Sequence, residues 1–157
     1  MTPDKWVSAD ETLSKADATA NITDDVNPAL AADPTLAVII GGDFNSGSHL
    51  DWTAAAASLH YGYSAALPTS QYMITTLVYK DSFRELYPNE VTYPQGTWAP
   101  IYGHLQTCRI DYIYYKGANI QATSTKIVRT PAEIDFVWAS DHASVLTTFN
   151  IPNSAMR

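Results

Sequence analysis

Residues 36–46 read Leu-Ala-Val-Ile-Ile-Gly-Gly-Asp-Phe-Asn-Ser, a short apolar run rich in β-branched residues that stops abruptly at polar ones. Such a run reads as a buried strand, and Gly41-Gly42 is expected to end it. Residues two apart on an extended chain point to the same side. Asp43 and Asn45 are therefore expected to face one cleft, with Phe44 turned into the core. A carboxylate in that position can orient or deprotonate a water, or bind a metal. A carboxamide beside it can donate a hydrogen bond to charge developing on a phosphoryl oxygen. The plainer alternative is a polar turn closing a strand, and this segment alone leaves the two readings even.

The rest of the chain predicts an α/β fold, with helices in the middle and strands in the last third. Residues 1–35 are polar and Ala-rich, a segment expected to be partly helical or flexible. A weak helix is expected over Asp10–Ile22, with Leu13 and Ala16 or Ala20 on its apolar side. Asn27-Pro28 and Asp33-Pro34 read as breakers. Helices are expected over Ser48–Leu59, Pro68–Val78 and Asp81–Tyr87, and a loop over Tyr93–Gly103. Strands are expected over Arg109–Tyr115, Ile120–Val128, Ile134–Trp138 and Ser144–Phe149. Residues 36–150 form the domain in this division, and 151–157 a tail.

Two further segments hold chemistry. In Arg109-Ile110-Asp111-Tyr112-Ile113-Tyr114-Tyr115, alternation puts Arg109, Asp111 and Ile113 on one side. A mid-strand Asp is costly to bury unless paired, and a His is a natural partner because a carboxylate fixes the imidazole tautomer. An Arg109–Asp111 pair on an exposed face is the plainer reading, favoured when the strand is taken alone. In Trp138-Ala139-Ser140-Asp141-His142-Ala143, the adjacent Asp and His diverge. One can hold a metal while the other meets a phosphoryl group. An ordinary polar turn is the alternative.

Charge narrows the partners. The 157 residues have a formal net charge of −7, and their nine Lys and Arg are scattered from Lys5 to Arg157. A protein gripping duplex nucleic acid usually shows a basic stripe, so this distribution leans away from such binding. A bound divalent cation can reverse the sign locally. The lone Cys108 forms no internal disulfide, and no apolar run approaches the ~20 residues that span a bilayer. The first residues, Met-Thr-Pro-Asp-Lys-Trp, are not expected to be a secretory signal, and the compartment stays open.

Gly-Asp-Phe-Asn at 42–45, Arg-Ile-Asp-Tyr-Ile at 109–113 and Ser-Asp-His at 140–142, in that order and each tied to a strand, resemble the endonuclease/exonuclease/phosphatase superfamily. Gly42 to Trp52, and Thr97-Trp98-Ala99-Pro100 ahead of Arg109, look like a bacterial subgroup of it. The resemblance runs from about Leu36 to Phe149. It implies a deoxyribonuclease-like, four-layer α/β sandwich and divalent-metal-dependent hydrolysis of a phosphoester. The cofactor it implies is Mg2+ or Mn2+. Residue by residue, Asp43 would activate the attacking water and help hold the metal. Asn45 would bind the phosphoryl oxygen, Asp141 would ligate the metal, and His142 would contact the scissile phosphate with Asp111 behind it. His49 and Trp98 are further substrate-contact candidates, with a helix-start polar residue and a packed loop aromatic as their plainer readings.

One departure stands out. Family members carry an Asn and then a metal-binding Glu on strands upstream of Gly-Asp-Phe-Asn. Here the preceding stretch has no His, and its one Glu, Glu11, lies in a polar helix-like context. The chain is therefore expected to be the C-terminal part of the fold, an incomplete enzyme with one sheet face uncovered. The missing segment, a second copy or rearranged residues 1–34 would cover that face. A non-catalytic binding remnant and a nuclease are the alternatives.

Overall fold

The computed structural model describes residues 3–98, 108–128 and 140–152. The chain opens with α1 (Pro3–Thr12) and α2 (Ser14–Asn21), continues through a π-helical stretch at Ile22–Val26, and ends this region with α3 (Asn27–Ala32). Asn27-Pro28 does not break the helix as expected. Pro28 falls in the first turn of α3, where its missing N–H is not needed. The apolar side also differs from the expected one. Leu13, Ala16 and Ala20 are exposed, whereas Ala18 and Ile22 are buried. Two contacts pin α1 down. Asp10 accepts the Thr69 N–H at 2.8 Å and its hydroxyl at 2.5 Å, and Trp6 meets Trp52 edge-on at 5.0 Å.

The first strand, β1 (Val38–Asp43), runs straight through Gly41-Gly42. A ladder needs only backbone N–H and C=O groups, so glycine weakens a strand without ending it. Its partner is β3 (Asp111–Lys116), antiparallel, with Val38 opposite Lys116 and Asp43 opposite Asp111. The short β2 (Lys80–Asp81) pairs with the other edge of β3, giving the order β1-β3-β2. One face of this sheet presents Val38, Ile40, Tyr112 and Tyr114, and packs with Ala18, Ile22, Met73 and Tyr79. Phe44 lies edge-on against both tyrosines, at 5.7 and 5.2 Å. The opposite face carries Ile39, Gly41 and Asp43 beside Tyr115, Ile113 and Asp111. Tyr115 is buried there under Ile120, Ala122 and Phe149, but Ile39 is 47% exposed. The apolar run is thus half-buried, on the helix side alone, and residues 3–32 cover the face opposite to Ile39.

Ser48–Leu59 is not the expected helix; it is a series of turns with one 3-10 turn at Ala57–Leu59. The Ser48 hydroxyl accepts the Leu50 N–H at 3.1 Å, a local bond that competes with helix formation. Asp51 is drawn inward by arginines. Its carboxylate accepts Arg84 Nε at 2.5 Å and Arg109 Nε at 3.0 Å, while Arg109 Nη2 reaches Asp81 at 2.6 Å. All four side chains are almost fully buried, and two positive charges balance two negative ones. Burial alone would lower the Arg109 pKa, but Asp51 and Asp81 outweigh it and keep the guanidinium charged. An Arg109–Asp111 pair on an exposed face is therefore not formed. β3 begins only at Asp111, and Arg109 lies before it, packed 4.6 Å from the Tyr112 ring.

The helices expected after residue 67 form. Pro68–Gln71 is α4, extended by a π-helical stretch at Tyr72–Thr76. Ser82–Leu86 is α5, whose first N–H groups, from Phe83 and Arg84, bond to the Asp81 carboxylate at 3.0 and 3.3 Å. β4 (Gln121–Val128) and β5 (Ser144–Asn150) pair antiparallel. Ala122, Ile127 and Phe149 from that pair face the α5 residues Phe83 and Leu86. The expected strand at Ile134–Trp138 lies outside the described residues, as does most of the loop after Trp98. The architecture is mixed helix and sheet, an α/β fold. Among the described residues no helix is long and apolar enough to cross a membrane.

Candidate functional site

The register of the β1–β3 pair sets two carboxylates side by side. Asp43 ends β1 directly opposite Asp111, which begins β3. Like charges facing each other across a strand pair repel. His142 relieves part of this: its Nδ1 lies 2.9 Å from Asp111 Oδ2. Ligand atoms of Asp43, Asp111 and His142 all lie within 4.8 Å of one another. Asp43 is exposed and the other two are half-buried, so the group is open to solvent and to a ligand.

Partial burial pulls the His142 pKa down. The hydrogen bond from Asp111 and the charges of Asp111, Asp43 and Asp141 more than offset this, and the net shift is upward. The imidazole therefore holds its proton to higher pH than an ordinary histidine, whose pKa is about 6.5. Trp98 stands against it, ring centroids 4.9 Å apart and nearly edge-on, and the two residues share an isolated β-bridge.

Asn45 reaches the site by a route different from the expected alternation. The strand ends at Asp43, and Asn45 adopts φ 49°, the left-handed region that Asn tolerates better than most residues. Its backbone N–H donates to Asp43 Oδ1 at 2.7 Å. This turn fixes the Asp43 carboxylate and keeps Asn45 exposed beside it, both lining one cavity. Gly47 follows, and there a Cβ would come within 2.6 Å of the Trp52 indole nitrogen.

Two predicted residues stand apart from the group. Asp141 is exposed, and its charge acts on His142 without its own oxygens joining the convergent set. His49 is tied to Ser70, which accepts its backbone N–H at 2.7 Å and lies 2.8 Å from its Nδ1. Burial lowers its pKa, and the charges that oppose this come from Asp51 and Asp81.

Sequence reasoning missed the residue that joins the site's segments. Thr97 is fully buried. Its hydroxyl oxygen accepts the N–H groups of Ile110 and Asp111, each at 3.0 Å. Its carbonyl accepts the Ala143 N–H at 2.8 Å. One residue thus fixes the start of β3 through its side chain and the turn that carries His142 through its backbone. No periodicity marks such a threonine; the neighbouring Trp98 was the nearest signal. Thr97→Val keeps the shape and leaves two buried N–H groups unpaired, a loss of about 1–3 kcal/mol each at most. Its denaturation midpoint is expected to fall measurably while Thr97→Ser stays near wild type. Equal midpoints for the two would show that the hydroxyl does not hold these segments.

A divalent cation fits this donor set. Two opposed carboxylates supply the hard oxygen ligands that Mg2+ and Mn2+ prefer, with the His142 ring, engaged by Asp111, beside them rather than among the ligands. A positive ion between them would also cancel the Asp43–Asp111 repulsion.

The comparisons agree with this chemistry. An uncharacterised protein of Caenorhabditis elegans is 31% identical over 127 residues, covering 71% of this chain. The chain spans only 40% of that relative's length. No solved structure matches. Residues 10–142 match the endonuclease/exonuclease/phosphatase family, whose members are hydrolases of phosphoester or nucleic-acid substrates and are generally divalent-metal dependent. The match starts at residue 10, well ahead of Leu36, so α2, α3 and the end of α1 fall within it. Over most of its length, with two carboxylates and a histidine gathered at one end of its sheet, this chain belongs to the endonuclease/exonuclease/phosphatase family.

Proposed function

We propose that this chain carries part of the active site of a divalent-metal-dependent phosphoesterase. The observation that carries this reading is the convergence of Asp43, Asp111 and His142. Asp43, held by the Asn45 N–H, orients a water and takes its proton. The exposed Asn45 amide donates to a phosphoryl oxygen. Asp111 fixes the imidazole through Nδ1, and the protonated ring offsets charge on the scissile phosphate. Asp43, with Asp111 beside it and Asp141 joining from its exposed position in the adjacent turn, would hold a Mg2+ or Mn2+ ion, which supplies neutralisation of the phosphoryl charge when bound. Trp98, packed on the His142 ring, is a substrate contact.

The rest of the enzyme lies in a longer polypeptide, in this reading. The face bearing Ile39 and Gly41 would pack against a second sheet, completing a four-layer α/β sandwich. Further metal ligands would come from that part. Two features support this: Ile39 is exposed beside the candidate site, and the C. elegans relative is much longer than this chain. The acidic charge favours a small phosphodiester, a phospholipid head group or a sugar phosphate over duplex nucleic acid.

The test is hydrolysis of bis-p-nitrophenyl phosphate with Mg2+ or Mn2+. The longer polypeptide is expected to turn over, and EDTA to stop it; the isolated chain is expected to show little activity. A longer polypeptide inactive with both metals would replace this reading with that of a non-catalytic binding protein of the same fold.

A further inference from the structure

A cavity of about 920 Å3 opens beside Asp43 and Asn45, between the sheet and the N-terminal helices. Its size is that of a small-molecule site, typically ~300–1,000 Å3. The side chains around it are mostly apolar and aromatic: Trp6, Leu13, Phe44, Trp52, Leu67 and Trp98. Trp98 also touches the His142 ring, so the cavity is continuous with the reacting end of the sheet. Two of its large side chains are unusually open to solvent, Leu13 at 64% and Tyr61 at 63%. Large apolar groups left exposed on a concave wall mark a surface that an apolar partner would cover.

The charges are one-sided. No Lys, Arg or His is among the described lining residues, and Asp10, Asp17 and Asp43 are. Asp10 is spent on Thr69, so its role is structural. A nucleotide strand would bring a further phosphate among these carboxylates, with no cationic side chain among the described lining residues to pair with it. The polar lining, including Ser14, Asp17, Asn21 and Ser46, is outnumbered by apolar and aromatic side chains, so an apolar group finds more complementary surface there than a polyhydroxylated one.

We propose that this cavity binds the alcohol portion of the phosphoester, and that this portion is an uncharged, bulky apolar group. The inference rests on the phosphoesterase reading for the identity of the ligand, and on the cavity alone for its polarity. Asp43 and Asn45 hold the phosphoryl end at the mouth. The organic group lies inward between Trp6, Trp52 and Trp98, against α1 and the α1–α2 junction at Leu13.

The test uses 2-naphthol, a neutral aromatic alcohol, titrated into the full chain with tryptophan fluorescence as the readout. Three of the four tryptophans line the cavity. Saturable quenching is expected. Leu13→Glu and Tyr61→Glu, both at exposed positions, should each weaken the affinity tenfold or more. Val91→Glu, exposed but outside the cavity, should leave it unchanged. Absence of saturable binding, or the same affinity in all three variants, overturns the inference whether or not the protein is a hydrolase. Binding of 2-naphthol by this chain, with no hydrolysis of a naphthyl phosphodiester by the longer polypeptide in Mg2+ or Mn2+, supports the cavity assignment and defeats the phosphoesterase reading. In an active protein, a naphthyl diester should be cleaved with higher kcat/KM than a matched dinucleotide. The reverse order keeps the phosphoesterase and overturns the apolar-group inference.

Discussion

In the longer polypeptide, replacing His142 with alanine is expected to lower kcat for phosphodiester hydrolysis by roughly a hundred- to ten-thousand-fold, and Asp43→Ala by a similar factor. In the proposed reaction the two act on one phosphoryl group, Asp43 from the end of β1 and His142 from the turn before β5. Their losses should therefore not multiply: the double variant is expected to lie close to the worse single one. Asp111→Asn is the informative intermediate. It keeps the shape and a hydrogen-bond acceptor for His142 Nδ1, but removes a charge that raises the imidazole pKa. The wild-type rate is expected to fall as pH rises through a His142 pKa above about 6.5, because the neutral ring no longer offsets phosphate charge. In Asp111→Asn that limb should move to lower pH. The same upward shift has a stability counterpart. The stabilisation is fully present below the unfolded pKa and is lost as pH rises through the folded one. Full activity in His142→Ala, or a limb that does not move in Asp111→Asn, would remove His142 from the reaction.

The largest stability effect is expected away from the reacting groups. Arg109→Met leaves Asp51 with Arg84 and Asp81 without its guanidinium partner, where four charges had balanced. Breaking a buried pair by removing one partner costs about 3–5 kcal/mol. For a domain of this size each kcal/mol moves Tm by ~2–4 °C, so a fall of roughly 10 °C is expected by calorimetry. The consequence should reach the site, because Arg109 precedes Asp111 by two residues and Asp81 caps α5. By contrast, Lys15→Ala breaks a solvent-accessible pair with Glu11 and should cost well under about 1 kcal/mol. If Arg109→Met melts with wild-type midpoint, the network is incidental to the fold.

These two experiments probe different layers of information. That Asp43, Asp111 and His142 gather at one place follows the sequence expectation, because each stands in a short motif tied to a strand. Strand periodicity is local and survives in the sequence. The helix over Asp81–Tyr87 was legible for the same reason, since its capping carboxylate is the residue just ahead of it. The helix expected over Ser48–Leu59 failed where a local pattern met long-range forces. Asp51 serves Arg84 and Arg109, 33 and 58 residues away, and that bond outweighs a weak helical preference.

The sequence by itself determined the α/β class, the strands that carry Asp43 and Asp111, and the acidic net charge. Only the tertiary structure decided that Asp43 faces Asp111, that Arg109 turns inward rather than pairing with Asp111, and that Thr97 joins the two segments of the site. It alone revealed the apolar cavity walled by the N-terminal helices. The physical reason is separation along the chain. Contacts between neighbours leave a periodic trace in residue types, whereas the pairing of distant residues depends on strand register and burial, which no local pattern encodes.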